Sequence, residues 1–125
     1  GYTLTVQESH QNGKADTSGT ARAMVGYFNE MGLDYSVDDI EMERDPVRQE
    51  SEWGIPKAHL TGHGWHTYTM EAEDGSALFE FKHNINGRDI YVAGTFDAIE
   101  FLASAARQNE SGTVYSMMDV LGFKG

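Results

Sequence analysis

The 125-residue chain contains no cysteine and only two prolines, and none of its apolar runs approaches membrane-spanning length. The lack of cysteine excludes disulfides and thiolate chemistry, which suits a reducing cytoplasm. So few prolines argue against a disordered linker. The first residues also lack the basic region and hydrophobic block of a secretory signal. We therefore expect a soluble cytoplasmic protein that has no membrane partner.

Positive charge is scarce, because 9 lysines and arginines stand against 20 acidic residues, a formal net charge of -11. Such a chain repels a phosphate backbone, so we expect no nucleic-acid partner. A small anion can still bind if its site is built locally, which directs attention to Lys14 and Arg88. Most of the carboxylates are expected to be solvated surface groups.

The length, 39% hydrophobic residues and 14 glycines fit one globular domain over residues 1–125. Alternating or helical spacing of apolar residues predicts the element order β-α-β-β-β-α-β. The predicted strands cover 2–6, 40–44, 64–70, 77–83 and 113–117, and the predicted helices cover 21–31 and 90–107. This order indicates an α/β (α+β) fold with an open mixed sheet and two helices on one face.

The other face of that sheet, with residues such as Tyr68 or Phe79, is expected to be closed by another subunit. Residues 46–61 show poor periodicity and are predicted to form a long loop, and loops of this length are often functional. Arg44, Arg48 and Gln49 lie in or beside this loop and are expected to be surface groups.

The stretch from Glu8 to Thr20 reads E-S-H-Q-N-G-K-A-D-T-S-G-T and connects the first strand to the first helix. Thr17 or Ser18 can cap the helix, and the free N–H groups that follow favour an anion. Gly19 permits close approach of a ligand, and Lys14 adds a positive charge. The alternative is that these residues only cap a helix and that Lys14 is a solvated lysine, and so short a pattern does not decide between them.

Three of the five histidines, His59, His63 and His66, are spaced three and four residues apart. Zinc needs three or four converging ligands, and a glycine-broken loop that enters a strand does not align them as a helix would. We therefore expect no metal site and assign these histidines to hydrogen bonding. Among the histidines, His10 is the better candidate for a catalytic residue. The alternative is that His10 is only a polar residue at the end of a strand.

Four motifs, in order along the chain, resemble those of the dihydrodipicolinate reductases. The Glu8–Thr20 stretch resembles the substrate motif E-x-H-H-x-x-K-x-D-x-P-S-G-T of that family. The others are G-H-G-W-H at 62–66, F-E-F-K-H at 79–83 followed by Arg88, and Y-S-M-M-D-V-L at 115–121. The resemblance covers nearly the whole chain and is greatest to the plant-type branch, in which glutamine follows the first histidine of the motif.

The resemblance implies the carboxy-terminal half of a reductase of lysine and diaminopimelate biosynthesis. In the family, a hydride passes from NADPH or NADH to a cyclic imine dicarboxylate. The cofactor is held mainly by an amino-terminal Rossmann domain, whose G-x-x-G-x-x-G loop is absent from this chain. The chain would then contain the substrate and tetramerisation domain, without cofactor-binding residues or a metal, and would be inactive alone.

Site roles follow from the same resemblance. Lys14 would be the proton donor, and His10 would help to bind and polarise the substrate. The residues expected to bind the substrate carboxylates and charge are Gly19, Thr20, Ser18, Gln11 and Arg88. Gln11 replaces the second histidine of the common motif, which favours Lys14 as the acid, and the segment before Gly19 is one residue shorter.

The location and the function of the protein each have an alternative. The location would be the plastid instead of the cytoplasm if the source is a plant. The alternative function is a standalone, non-catalytic module that binds a small dicarboxylate or mediates oligomerisation.

Overall fold

The computed structural model describes residues 1–122, which form two compact units, Gly1–Gly87 and the residues from Arg88 onward. The candidate site residues other than Arg88 lie in the first unit. The prediction of one domain over 1–125 stays a prediction.

The first unit is built on a four-stranded sheet of β1 (Tyr2–His10), β2 (Glu41–Glu43), β3 (His63–Ala72) and β4 (Leu78–Asn86). The strand order is β2-β1-β3-β4, with β1 parallel to β2 and antiparallel to β3, which is antiparallel to β4. The β3–β4 turn contains Gly75, whose φ of 70° is left-handed, as the Asp-Gly signal predicts. The sheet is mixed and open, which confirms the predicted fold class.

Helix α1 (Gly19–Glu30) packs on one face of this sheet. The hydroxyl of Ser18 caps it by accepting from the Ala21 N–H at 3.0 Å, and Gly32 ends it with a φ of 96°. The core forms where the apolar stripe of the helix meets β1 and β3. Its buried members are Leu4, Val6, Ala21, Val25, Phe28, Ile40 and Tyr68.

The predicted loop over 46–61 is wrong in part, because it contains α2 (Pro46–Ser51) and a 3-10 turn, Lys57–His59. Asp45 caps α2 by accepting from the Val47 N–H at 2.9 Å, and Pro46 occupies the first turn, where its missing N–H costs nothing. A six-residue helix is too short to show hydrophobic periodicity, so its capping residues were the available signal.

The assignment of Tyr68 to the face opposite the helix is also wrong. Tyr68 is buried and its ring lies 5.9 Å from that of Phe28, on the side covered by α1. Phe79 pairs with Met70, which pairs with Leu4, so all three side chains are on the helix side as well. The predicted strand had the correct alternation, but sequence alone does not show which face the helix covers.

The second unit contains a 3-10 turn, Asp89–Tyr91, followed by α3 (Val92–Arg107) and α4 (Met117–Val120). The predicted helix over 90–107 is confirmed apart from its first turn. The predicted strand over 113–117 is wrong, because Ser116 and Asp119 form a capping box that starts α4 instead. Within residues 1–122, no helix is both long and apolar enough to cross a membrane.

His63 joins β3 to β1 as a buried hydrogen-bonding residue. Its Nδ1 lies 2.9 Å from the His59 carbonyl oxygen and must donate to it, so in the neutral ring Nε2 accepts from the Ser9 hydroxyl at 2.8 Å. Burial lowers the pKa of His63, and its hydrogen bond to the carbonyl only partly opposes this effect. The hydrogen-bonding role expected for this histidine is thus confirmed.

This burial predicts a loss of stability in mild acid. The unfolded chain binds a proton at His63 below about pH 6.5, whereas the folded chain does so only at lower pH, so stability falls as the pH drops through that value. Urea unfolding at about pH 7.5 and 5.5 should show a smaller difference in His63→Gln than in the wild type, by at most about 1.4 kcal/mol per pH unit. His59→Gln is the control and should keep the wild-type difference. An unchanged difference in His63→Gln would assign the acid sensitivity elsewhere.

Candidate functional site

The site is centred on the carboxylate of Glu8, which is fully buried on the helix-facing side of β1. The carboxylate accepts from the Ser18 N–H at 3.2 Å, from Arg44 Nη2 at 3.1 Å and from His10 Nε2 at 3.1 Å. Burial by itself would raise the pKa of Glu8, but these hydrogen bonds and one from His66 together lower it far below its ordinary value. Glu8 is therefore a fixed negative charge.

Arg44 fastens the loop after β1 to this charge. Its Nε donates to the Lys14 carbonyl at 2.9 Å, while Nη1 donates to the Glu43 carbonyl at 2.9 Å. The Nη2 that binds Glu8 also lies 3.4 Å from the Asp16 carbonyl. One guanidinium thus holds the two ends of the segment between Lys14 and Asp16 against the sheet. The expectation that Arg44 is a surface group is wrong.

Gln49 of α2 is also buried, which corrects its assignment to the surface. Its Nε2 donates to the His10 carbonyl at 2.6 Å and to the Glu43 carbonyl at 3.1 Å, so it fixes the end of β1 beside β2. Arg48, in contrast, is exposed and pairs with Glu43 and Glu52, as expected of a surface residue.

His10 and His66 meet above Glu8. His66 is directly opposite Glu8 in the β1–β3 register, and Nε2 of His10 lies 3.2 Å from Nε2 of His66. His66 Nε2 is also 2.9 Å from the Ser18 hydroxyl, so the helix cap and the two imidazoles form one network. His66, expected only to form hydrogen bonds, lies with His10 in the candidate site, whereas His59 does not.

Gly64 makes room for the His10 ring. The two residues pair across β1 and β3, and a Cβ on Gly64 would lie 3.0 Å from the ring carbon Cε1. That distance is shorter than about nine in ten contacts made by real Cβ atoms, so a larger residue would displace the imidazole by a few tenths of an ångström. This contact gives a physical reason for glycine in the G-x-H pattern at 62–66.

Gln11 and Lys14 are the first and last residues of a tight turn directly after β1. The Lys14 N–H donates to the Gln11 carbonyl at 3.0 Å, and Lys14 is partly exposed. Its ammonium forms no ion pair with any residue in 1–122. Gln11 lines a shallow cavity of about 330 Å³. The turn therefore presents a lysine that is free to meet a ligand, next to the buried network.

The start of α1 has both satisfied and free N–H groups. Ser18 is buried, its hydroxyl caps the helix and its N–H donates to Glu8. Of the two capping alternatives, Ser18 is thus the N-cap, and its contact with a substrate stays a prediction. Gly19 and Thr20 are exposed, and their N–H groups have no acceptor among the described residues. No atom lies within 4 Å of a Cβ placed on Gly19, so internal packing does not require glycine there.

Three members of the network, Glu8, Arg44 and His66, were not predicted as site residues. Glu8 could have been found by continuing the alternation of Leu4 and Val6 along β1, which places position 8 on the buried face. A carboxylate there needs partners, and the sequence offers no local signal that Arg44 and His66 supply them. Arg88 lies in the second unit, and its predicted role stays a prediction.

The arrangement suits the binding and protonation of an anion. The N-terminus of α1 and Lys14 supply positive potential, while Glu8 fixes the orientation of His10 by accepting from its Nε2. A lysine and an imidazole thus lie on the same strand-to-helix connection as free helix N–H donors. These are groups expected where a carboxylate-bearing substrate gains a proton.

Residues 1–121 match a family model described as "Dihydrodipicolinate reductase, C-terminus". The chain is 46% identical over 121 residues to 4-hydroxy-tetrahydrodipicolinate reductase 1, chloroplastic, of Arabidopsis thaliana, covering 97% of this chain and 35% of the relative. A probable rice homologue, reductase 2, chloroplastic, is 45% identical, with coverage of 97% and 37%.

A more distant relative is the 4-hydroxy-tetrahydrodipicolinate reductase of Methanobrevibacter smithii, 32% identical over 128 residues, with coverage of 98% of this chain and 45% of the relative. The chain thus spans roughly a third to under half of the length of the curated relatives it matches. The higher identity to the plant proteins confirms the plant-type resemblance. This chain belongs to the dihydrodipicolinate reductase family and corresponds to the carboxy-terminal part of its members.

Proposed function

We propose that the chain is the substrate-binding and catalytic half of an NAD(P)H-dependent reductase of lysine and diaminopimelate biosynthesis. The reaction reduces dihydrodipicolinate, formed from 4-hydroxy-tetrahydrodipicolinate, to tetrahydrodipicolinate. The observation that carries the proposal is the Glu8–Thr20 stretch, which has Lys14, His10 and the free N–H groups of α1 on one strand-to-helix connection in a chain of this family.

The substrate carboxylates would bind at the start of α1. The N–H groups of Gly19 and Thr20 and the hydroxyl of Thr20 are available donors, and the helix dipole favours an anion at this end. Gln11 and Arg88 are further candidates for binding. Because Gly19 has open space around it, the absence of a side chain there is best explained by the close approach of a ligand.

Lys14 would supply the proton. Its Nζ carries three donors on a flexible stem, and Arg44 fixes its backbone on the connection that leads to α1, so we expect the ammonium to reach a ring bound at the helix start. His10 would bind and polarise the substrate, held in place by Glu8 on one side and by Gly64 beneath its ring. When bound, the nicotinamide cofactor supplies the hydride.

The cofactor itself would be bound mainly by another part of the protein. This chain contains no G-x-x-G-x-x-G loop, and its sheet is not the parallel, doubly wound type that holds dinucleotides. We therefore propose an amino-terminal Rossmann domain as its partner, with NADPH and NADH both possible donors and no cofactor-binding residue assigned here.

The tetramer is proposed to use the sheet face opposite α1. Within the first unit this face carries Trp65 and Lys82, which line an open groove together with Gln7, Thr67, Glu80 and Asn84. It is more polar than the Tyr68 and Phe79 surface expected from sequence.

The Arabidopsis and rice relatives are chloroplastic by name, which supports a plastid location if the source is a plant. For any other source we propose a cytoplasmic location.

A standalone, non-catalytic module is less well supported. Family membership over residues 1–121 supports a reductase, and the site carries both His10 and a lysine, Lys14, that has no ion pair within residues 1–122. A binding module would need the helix N–H groups but would not need those two side chains.

Substitution of Gly19 tests the carboxylate site. Gly19→Ala should leave the fold intact, because the added Cβ meets no atom, yet it should weaken binding of pyridine-2,6-dicarboxylate by about 10-fold or more, or about 1.4 kcal/mol. Calorimetry on metal-free protein measures this. Gly26→Ala is the matched control, since Gly26 also lies in α1 with open space around it. It should keep wild-type affinity and gain roughly 0.5–1 kcal/mol of stability. Equal affinities for all three proteins would refute the assignment of Gly19.

Substitution of Lys14 tests the chemical step. In the full-length reductase, Lys14→Ala should lower kcat by about 100-fold or more, about 2.7 kcal/mol of barrier, because the proton donor is lost. Lys57→Ala, in the exposed 3-10 turn Lys57–His59, should change kcat little. Steady-state oxidation of NADPH or NADH reports both. A kcat within about 10-fold of the wild type in Lys14→Ala would contradict the assigned role.

A further inference from the structure

We propose that Glu8, His10 and His66 form a binding site for a late first-row transition-metal ion such as Zn²⁺ or Co²⁺. One atom from each residue, Glu8 Oε2, His10 Nε2 and His66 Nε2, lies within 4.8 Å of the other two. The inference departs from the expectation of no metal. Metal binding as such does not depend on the proposed reductase function.

The three atoms have the spacing of ligands around one tetrahedral ion. The two imidazole nitrogens are 3.2 Å apart, and Glu8 Oε2 lies 3.1 Å from the nitrogen of His10 and 3.6 Å from that of His66. Zinc bonds of about 2.0–2.1 Å at tetrahedral angles place neighbouring ligands about 3.3–3.4 Å apart. An ion between the three atoms would therefore bind all of them with little movement.

Protons alone satisfy this cluster incompletely. His10 Nε2 can donate to Glu8, and His66 Nε2 lies 2.9 Å from the Ser18 hydroxyl. A single proton also serves only one pair of the three atoms, whereas a divalent ion would be bound by all three. The close approach of two imidazole nitrogens to one carboxylate oxygen is thus well matched to a metal.

Other contacts orient the three ligands. Arg44 binds Oε1 of Glu8 at 3.1 Å, whereas Oε2 faces the histidines and also accepts from the Ser18 N–H at 3.2 Å. Gln49 holds the backbone of His10, and Gly64 leaves space for its ring. Such outer contacts are typical of metal sites, in which they fix the ligand geometry.

The ligand types select the metal. Two imidazoles and one carboxylate suit Zn²⁺, Co²⁺, Ni²⁺ or Cu²⁺, whereas Mg²⁺ and Ca²⁺ prefer six or more oxygen ligands. The positive Arg44 beside Glu8 further disfavours ions that rely on carboxylate charge. Three protein ligands would leave a fourth position for water or another ligand, and His10 provides the access because its side chain is 13% exposed. A metal at this position would occupy the nitrogen of His10 and so compete with its proposed role.

The test is to titrate the metal-free chain with Co²⁺ and to record the visible absorption spectrum after each addition. We expect one equivalent to produce the intense bands of four-coordinate Co²⁺ and one equivalent of Zn²⁺ to remove them, while excess Mg²⁺ leaves them unchanged. His10→Ala should weaken Co²⁺ binding by more than the 10–100-fold typical of losing an outer contact. His59→Ala is the control and should bind as the wild type does. Absence of the bands at excess Co²⁺, or their persistence in His10→Ala, would overturn the proposal.

Because a variant can lose its fold, a second measurement uses the unchanged chain. In side-chain ¹⁵N NMR spectra, one equivalent of Zn²⁺ should shift Nε2 of His10 and His66 and leave the ring of His59 unaffected. Shifts confined to other histidines would overturn the proposal. Neither experiment uses substrate or cofactor, so a failure here is distinguishable from a failure of the dicarboxylate and turnover tests.

Discussion

The buried charge of Glu8 is the constraint on which the rest of the site depends. A carboxylate removed from water must be paired, and breaking a buried pair costs about 3–5 kcal/mol. Its partners come from three separated segments: the start of α1, the residue after β2, and β3. Satisfying one carboxylate therefore brings the three segments to one point, and the loop that carries Lys14 is fixed as a consequence.

The same pairing separates fixed groups from groups that remain free for a ligand. Glu8, Arg44 and Ser18 are used within the protein, whereas Lys14 and the N–H groups of Gly19 and Thr20 face outward without partners among residues 1–122. His10 belongs to both sets, because its Nε2 donates to Glu8 while its side chain is partly exposed. This division between internal support and open donors is common where a site must be rigid before its ligand arrives.

Much of the fold could be predicted from sequence because its signals are local. The alternation in β1, the Ser18 cap of α1 and the Asp74-Gly75 turn each follow from the preferences of a few adjacent residues. The errors arose where local signals are weak or ambiguous. Helix α2 is too short to show periodicity. The predicted strand over 113–117 does not form, because the Ser116–Asp119 capping box begins α4 there. The face occupied by Tyr68 depends on where α1 packs.

For the site, the sequence by itself determined which groups with functional chemistry lie between Glu8 and Thr20, and that they belong on a strand-to-helix connection of this family. Only the tertiary structure decided their partners. Arg44 and His66 are 36 and 58 residues from Glu8 along the chain, and strand pairing together with the cost of a buried charge brings them together. No local pattern encodes that meeting, because it depends on the register between β1 and β3 and on the crossing from β2.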